Sequence, residues 1–203
     1  MLIKTLEVGH IGTNCYIVTD ENTLDCVVID PGAESNTILN YLESNKLSCK
    51  AIFLTHGHFD HVGALKKVRE ATKAPVYVCP REENADKVGK PLGFSIPEGA
   101  LFYDDGDEID ISGLHFKIIS TPGHTEGGVT IICEDSLFVG DTLFRGSMGR
   151  TDFPGGDFMQ ILKSLKKISQ LGENFDVYSG HGDATTLAFE RAHNPYMKRA
   201  LQL

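Results

Sequence analysis

Short apolar runs, each stopped by turn residues, dominate the first third of the chain. Leu2 to Val8 is apolar-rich, and Cys15-Tyr16-Ile17-Val18 and Val27-Val28-Ile29 follow, the last ending at Asp30-Pro31-Gly32. Runs of this length bounded by Gly, Pro and Asp read as strands. Ser35 stands where it can cap a helix carrying Ile38, Leu39 and Leu42 on one face. Ala51-Ile52-Phe53-Leu54 reads as a buried strand. Val62, Leu65 and Val68 then recur at helical spacing, and Pro75-Val76-Tyr77-Val78 is another strand. A helix near residues 82–88 with a loop after it is the reading for the next segment. The middle returns to strands at Glu108–Ile111, Leu114–Ser120, Val129–Cys133 and 137–139. A Gly-rich loop over 145–156 leads to a helix over 157–171. A final strand over 175–179 and a short helix over 185–193 close the pattern.

This order is satisfied by two sheets packed face to face with helices outside. No repeat, low-complexity tract or Pro/Ser-rich linker interrupts the 203 residues, so a single domain over 1–203 is expected. Hydrophobic residues at 41% supply enough apolar surface for one sizeable core, which excludes a disordered chain. No apolar stretch approaches the ~18 residues of a membrane span, so no membrane partner is expected. The 28 acidic residues outnumber the 19 basic ones, a net charge of −9. Phosphate contacts need Lys and Arg, so a nucleic-acid partner is not expected either. The opening MLIKTLEVGH does not read as an export signal. The five cysteines are odd in number and form no CxxC, which fits reduced, mostly buried thiols in the cytoplasm.

The chemistry lies in the polar residues at strand ends. His56, His58, Asp60 and His61 share one loop after an apolar strand. His124 follows Ser120-Thr121-Pro122-Gly123, Asp141 follows Gly140, and His181 sits between two glycines. Strand ends of one sheet can converge on one edge, so these loops can share a site. In a tight loop His56 and His58 can face one point, and Asp60 and His61 a second. Histidine with carboxylate suits Zn, Mn or Fe and requires no thiolate. A site with two ions needs a bridging ligand, a role open to a carboxylate such as Asp141. His10, His115 and His193 lack this setting. His115 alternates with Leu114 and Phe116 and reads as a strand-face residue.

Thr55-His56-Gly57-His58-Phe59-Asp60-His61 resembles the signature loop of the metallo-β-lactamase superfamily. Thr121-Pro122-Gly123-His124-Thr125, Gly140-Asp141-Thr142-Leu143-Phe144 and Gly180-His181-Gly182 resemble its later motifs, and Val28-Ile29-Asp30-Pro31-Gly32 its early strand. The resemblance spans residues 15–182. It implies an αββα sandwich of two mixed β-sheets with helices on the outer faces and metals at one sheet edge. Gly149-Arg150-Thr151-Asp152-Phe153-Pro154-Gly155-Gly156 and the later Glu190-Arg191 and Asn194-Pro195 are similar to short glyoxalase II-like hydrolases. That similarity implies His56, His58 and His124 on one ion, Asp60, His61 and His181 on the other, and Asp141 between them. It places Asp60 in the catalytic group and Asp30 behind the ligands rather than on a metal. Only 22 residues follow His181, so the C-terminal extension that grips glutathione in longer relatives is not expected.

The expected reaction is hydrolysis of a thioester of the S-lactoylglutathione type by a metal-bound hydroxide, with two divalent ions, zinc first and iron or manganese as alternatives. Arg150 and Ser147, just beyond Asp141, are the expected substrate contacts. For Arg150 an ion pair with Asp152 is the competing reading. Persulfide oxidation by one iron on His56, His124 and Asp141 is the alternative activity. A β-lactamase reading ranks lower, because the cysteine-liganded type wants a cysteine near Asp141. A non-catalytic metal-binding module ranks last, since the ligand set is intact.

Overall fold

The computed structural model describes residues 1–84, 94–172 and 174–203. Its first sheet runs in spatial order β1 (Leu2–Val8), β2 (Thr13–Thr19), β3 (Asp25–Ile29), β4 (Ser48–Phe53), β5 (Val76–Val78) and β6 (Leu101–Phe102). The second runs β14 (Thr185–Thr186), β13 (Asp176–Ser179), β10 (Ser136–Gly140), β9 (Val129–Cys133), β8 (Leu114–Ser120) and β7 (Glu108–Ile111). Both sheets mix directions. β1 to β3 pair antiparallel and β3 to β6 parallel, while β10 and β13 are the parallel pair of the second sheet.

The layers explain why the runs are apolar at consecutive positions. Cys26 and Val28 of β3 pack outward into a cluster with Ile38, Leu42, Leu65 and Val68. These last come from α1 (Ser35–Ser44) and α3 (Leu65–Thr72). Val27 and Ile29 pack inward against Phe116, Ile118, Ile131 and Phe138 of the second sheet. A third cluster joins Leu137, Val139 and Val177 to Leu162, Leu165 and Ile168 of α4 (Phe158–Ser169) and Met197 of α6 (Pro195–Ala200). Helix, sheet, sheet and helix thus enclose three apolar cores, and strands in the middle layers are buried on both faces. The expected αββα sandwich is the architecture found.

Local differences have physical causes. Ser35 is the first helical residue, not the cap; Glu34 caps α1 in a left-handed conformation (φ 51°) without a side-chain bond. The helix after the His56 loop comes as two pieces, α2 (Phe59–Val62) and α3. A 3₁₀ turn, Pro80–Asn84, covers the start of the helix expected over 82–88; residues 85–88 of that expectation lie outside the described residues. Within the 145–156 loop, β12 (Ser147–Met148) pairs with β11 (Leu143–Phe144). Thr185–Thr186 extends as β14, so the helix expected from 185 begins at Leu187 as α5 (Leu187–His193). Thr186 caps it through the Phe189 amide. Asn194 then caps α6, which the hydropathy pattern had not revealed.

Candidate metal centre

The ends of several strands converge on one edge of the two sheets. His56 and His58 sit in the loop after β4, Asp60 and His61 on the single turn of α2, His124 after β8, Asp141 just after β10 and His181 just after β13. Single ligand atoms of His56, His58 and His124 all lie within 4.8 Å of one another, and so do those of Asp60, His61 and His181. Asp141 lies between the two sets. Its Oδ1 is 3.4 Å from His61 Nε2, and its Oδ2 is 3.4 Å from His124 Nε2 and 3.6 Å from His181 Nε2. Close backbone approach makes this possible: a Cβ on Gly180 would stand 2.1 Å from Asp141 Oδ1 and 2.7 Å from the His61 ring.

The back of each ring is tied so that its other nitrogen faces the centre. His61 Nδ1 donates to Asp30 Oδ2 at 2.9 Å, and His124 Nδ1 to the Arg150 carbonyl at 2.7 Å. His181 Nδ1 lies 3.2 Å from both the Ile11 and Gly12 carbonyls. His56 Nδ1 donates to Thr55 Oγ1 at 3.1 Å, and the Thr55 hydroxyl donates to Asp30 Oδ2 at 2.5 Å. Such bonds set the tautomer and raise ligand basicity. Asp30 also forms a close three-donor group with His56 and His61. Its oxygens are already occupied by Thr55 N, Thr55 Oγ1 and His61 Nδ1, so it stands behind the rings. It holds a left-handed backbone (φ 51°) to do so.

Among the described residues, three buried polar atoms make no hydrogen bond of good geometry: His56 Nε2, His61 Nε2 and Asp141 Oδ1, the last two 3.4 Å apart. Buried orphans of this kind cost about 1–3 kcal/mol each, and here one belongs to each histidine set and one to the carboxylate between them. A donor set of five imidazoles and two carboxylates with inward lone pairs fits divalent cations. The four buried cysteines, Cys15, Cys26, Cys79 and Cys133, pack in the apolar cores instead.

Charge differs across the centre. Burial pushes His56 well below the ordinary imidazole range and His58 down to about 4, in each case helped by neighbouring histidines. Burial also lowers His124. Burial opposes the His61 charge too, but Asp141 and Asp30 outweigh it and hold the ring well above its usual range. The hydrogen bond to Asp60 raises His181. Burial works against the Asp60 carboxylate, yet His181 and His61 hold its carboxyl well below the usual carboxylate range.

One functional residue escaped the sequence reading. Glu82 is fully buried in the 3₁₀ turn. Its Oε2 accepts from the Gly57 amide at 2.7 Å and its Oε1 from the Thr125 hydroxyl at 2.7 Å, and the Gly127 amide adds a third bond. It thereby fastens the loop of His56 and His58 to the loop of His124. Arg81 beside it pairs with Asp104, Nη2 at 2.7 Å from Oδ1, and pins the turn to the second sheet through Ser120.

The expected substrate contacts fare differently. The Arg150 side chain lines the cavity over the cluster but is paired with Asp152. Ser147 lies in β12, outside that cavity, and its carbonyl accepts from Asn194 at 2.8 Å.

The sequence profile of the Metallo-beta-lactamase superfamily matches residues 8–181. The hydroxyacylglutathione hydrolase GloC of Haemophilus influenzae is 31% identical over 97% of this chain and 98% of its own. The crystal structure of BLEG-1, a B3 metallo-beta-lactamase, superposes with a TM-score of 0.88 at 35% identity, covering 97% of this chain and 99% of that one. TTHA1623, solved in a di-iron-bound form, superposes with a TM-score of 0.81 at 36% identity, covering 95% of this chain and 99% of that one.

Proposed function

The chain belongs to the metallo-beta-lactamase superfamily, and from that premise we propose that it is a metal-dependent hydrolase of thioesters, the class that includes S-lactoylglutathione. The observation that carries this reading is the pair of three-donor sets joined through Asp141 at the floor of one open cavity. The likeness to GloC supports a thioester as the bond cleaved, and the likeness to the di-iron TTHA1623 supports two ions. When bound, divalent ions supply an acidified water and a positive charge for the developing oxyanion.

The chain's own residues hold this arrangement in place. His56, His58 and His124 form a neutral imidazole set, and Asp60, His61 and His181 a set of mixed charge. Asp60 stays ionised, so its part is a charged donor oxygen rather than an acid. A thiol leaving group has a pKa near 8.5, so its departure needs no strong proton donor. Among the described residues lining the cavity none is a serine or cysteine, which supports water as the nucleophile.

The test is metal content combined with a substrate panel. Two ions per chain and hydrolysis of S-lactoylglutathione or a simpler thioester support the proposal. One iron with oxygen uptake on a persulfide overturns it. So does opening of a β-lactam with no thioester cleavage, the outcome that the likeness to BLEG-1 makes worth including.

A further inference from the structure

Two large apolar side chains stand half exposed beside the ligand cluster, Ile11 at 56% and Phe59 at 52%. Scattered singly, such residues carry no message. Here they join Phe144, Met148 and Phe153 around one cavity of about 460 Å³ whose floor is the cluster. That volume and apolar lining are those of a small-molecule site. The aromatic walls flank both ligand sets. Phe153 meets the His58 ring edge-on at 5.9 Å between centroids, and Phe144 meets the His181 ring at 6.2 Å. A thioester whose carbonyl lies over the cluster therefore sends one arm past each wall.

Arg150, the guanidinium among the described residues of this lining, already holds a carboxylate. Arg150 Nε and Nη2 each donate at 2.7 Å to the two oxygens of Asp152. Its guanidinium carbon lies 3.7 Å from the centre of the Phe153 ring. A bidentate pair of this kind is matched in charge and geometry. The centre uses Arg150 through its backbone carbonyl, which holds His124. A glutathione conjugate brings two carboxylates against one ammonium, toward a chain with a net charge of −9. Two divalent ions would offset four of those nine charges, so the long-range field of the loaded protein still opposes that approach.

We infer that this site selects thioesters whose thiol arm is uncharged and apolar, in preference to glutathione thioesters. The inference rests on the thioester reading above and refines its substrate. The experiment compares two lactoyl thioesters on the metal-loaded enzyme, one of glutathione and one of benzyl mercaptan. The benzyl thioester should show a kcat/KM higher by about tenfold. Calorimetry on the two matching uncleavable thioethers should show the same order of affinity. An equal or higher kcat/KM for the glutathione thioester overturns the inference and leaves thioester hydrolysis standing. Cleavage of neither, with metals bound, overturns both. Asp152→Asn should move the ratio several-fold toward glutathione through a lower KM, and added salt should shrink that shift. An unmoved ratio overturns the part given to the Arg150–Asp152 pair.

Discussion

On the proposed reading, the two three-donor sets stand side by side yet are unlike as receptors for a cation. His56, His58 and His124 are all imidazoles, at most 6% exposed and held neutral by burial. In the other set His61 is fully buried, but the side chains of Asp60 and His181 are 11% and 25% exposed. Its two imidazoles are held toward the protonated form by Asp30, Asp60 and Asp141. The difference comes from where the carboxylates stand. A carboxylate touching an imidazole strengthens it as a base, which helps it hold a metal and equally helps it hold a proton. In the first set burial outweighs the pull of Asp141, which lies 3.4 Å from His124 Nε2, so its imidazoles offer lone pairs with little proton competition. On the two-ion proposal, one centre would combine a receptor that meets little proton competition with one whose readiness depends on pH and on charge already present.

Removing a ligand tests that contrast most severely. His58→Ala should bring hydrolysis to the background rate and abolish tight binding of one ion, with the circular dichroism spectrum unchanged because His58 lies outside the three apolar cores. His181→Ala should instead leave the first ion in place, so elemental analysis should find close to one ion per chain and a residual rate. Equal loss of both ions in the two variants breaks the distinction.

Acid should separate the sets without any mutation. Metal binding requires neutral imidazole. Histidines with lowered pKa lose their protons at lower pH, so the first set meets little competition until pH falls toward the value of about 4 held by His58. Histidines with raised pKa carry protons at and above the ordinary imidazole value of about 6.5, so affinity of the second set falls early as pH is lowered. Metal content followed against pH should drop in two steps, the second set emptying first. A single step, or the reverse order, contradicts this.

Glu82 sharpens the comparison, because its bonds reach only the loops of the first set. Glu82→Gln keeps the size and replaces one acceptor oxygen with a donor facing the Gly57 amide or the Thr125 hydroxyl. Partners behind metal ligands typically matter by about 10–100-fold. The variant should lose about that factor in affinity at the first set and much less at the second, read by competition with a chelator. Equal weakening at both sites would show Glu82 to be a general support of the fold.

How much of this was legible in the sequence depends on the range of the interaction involved. The apolar runs of β2, β3, β4 and β10 announce strands because their burial on both faces leaves few polar positions. The seven donors stood out because they fall in loops that follow apolar runs, five of them beside a glycine, so strand placement carries them to one edge. The two-residue strands β6, β11, β12 and β14 left no such trace. They exist through pairing with distant partners rather than through local pattern. Glu82 stands in the run Arg81-Glu82-Glu83, which has the composition of a solvated turn. Nothing local says that the middle residue points inward to amides about 25 and 45 positions away. The Asn194-Pro195 pair did carry a usable signal, a capping residue followed by proline at the first helical position, and α6 begins there. Arg150 shows the opposite limit: the sequence offered both a substrate contact and an ion pair, and only the geometry shows the guanidinium paired with Asp152.

The smallest predicted effect concerns the exposed side of the second set. Thr13 Oγ1 donates to Asp60 Oδ2 at 3.1 Å, the same oxygen that His181 Nε2 approaches to 3.1 Å. Around it, the Asn14 amide donates to the Gly180 carbonyl at 2.8 Å, and Asn14 Nδ2 donates to the Ser179 and Gly182 carbonyls. The start of β2 therefore clasps the loop of His181, and Thr13 contributes one hydrogen bond to an otherwise well-fastened carboxylate. Thr13→Val removes that bond while keeping the branched shape. A hydrogen bond of net worth about 0.5–1.5 kcal/mol corresponds to roughly a twofold to tenfold change. Affinity at the second set should fall by that modest factor, and affinity at the first should hold. Because the lost bond stabilised the Asp60 carboxylate, the pH at which the second set empties should rise slightly. If Thr13→Val instead weakens the first set, the two receptors are coupled through Asp60 and Asp141 more tightly than their separate backing implies.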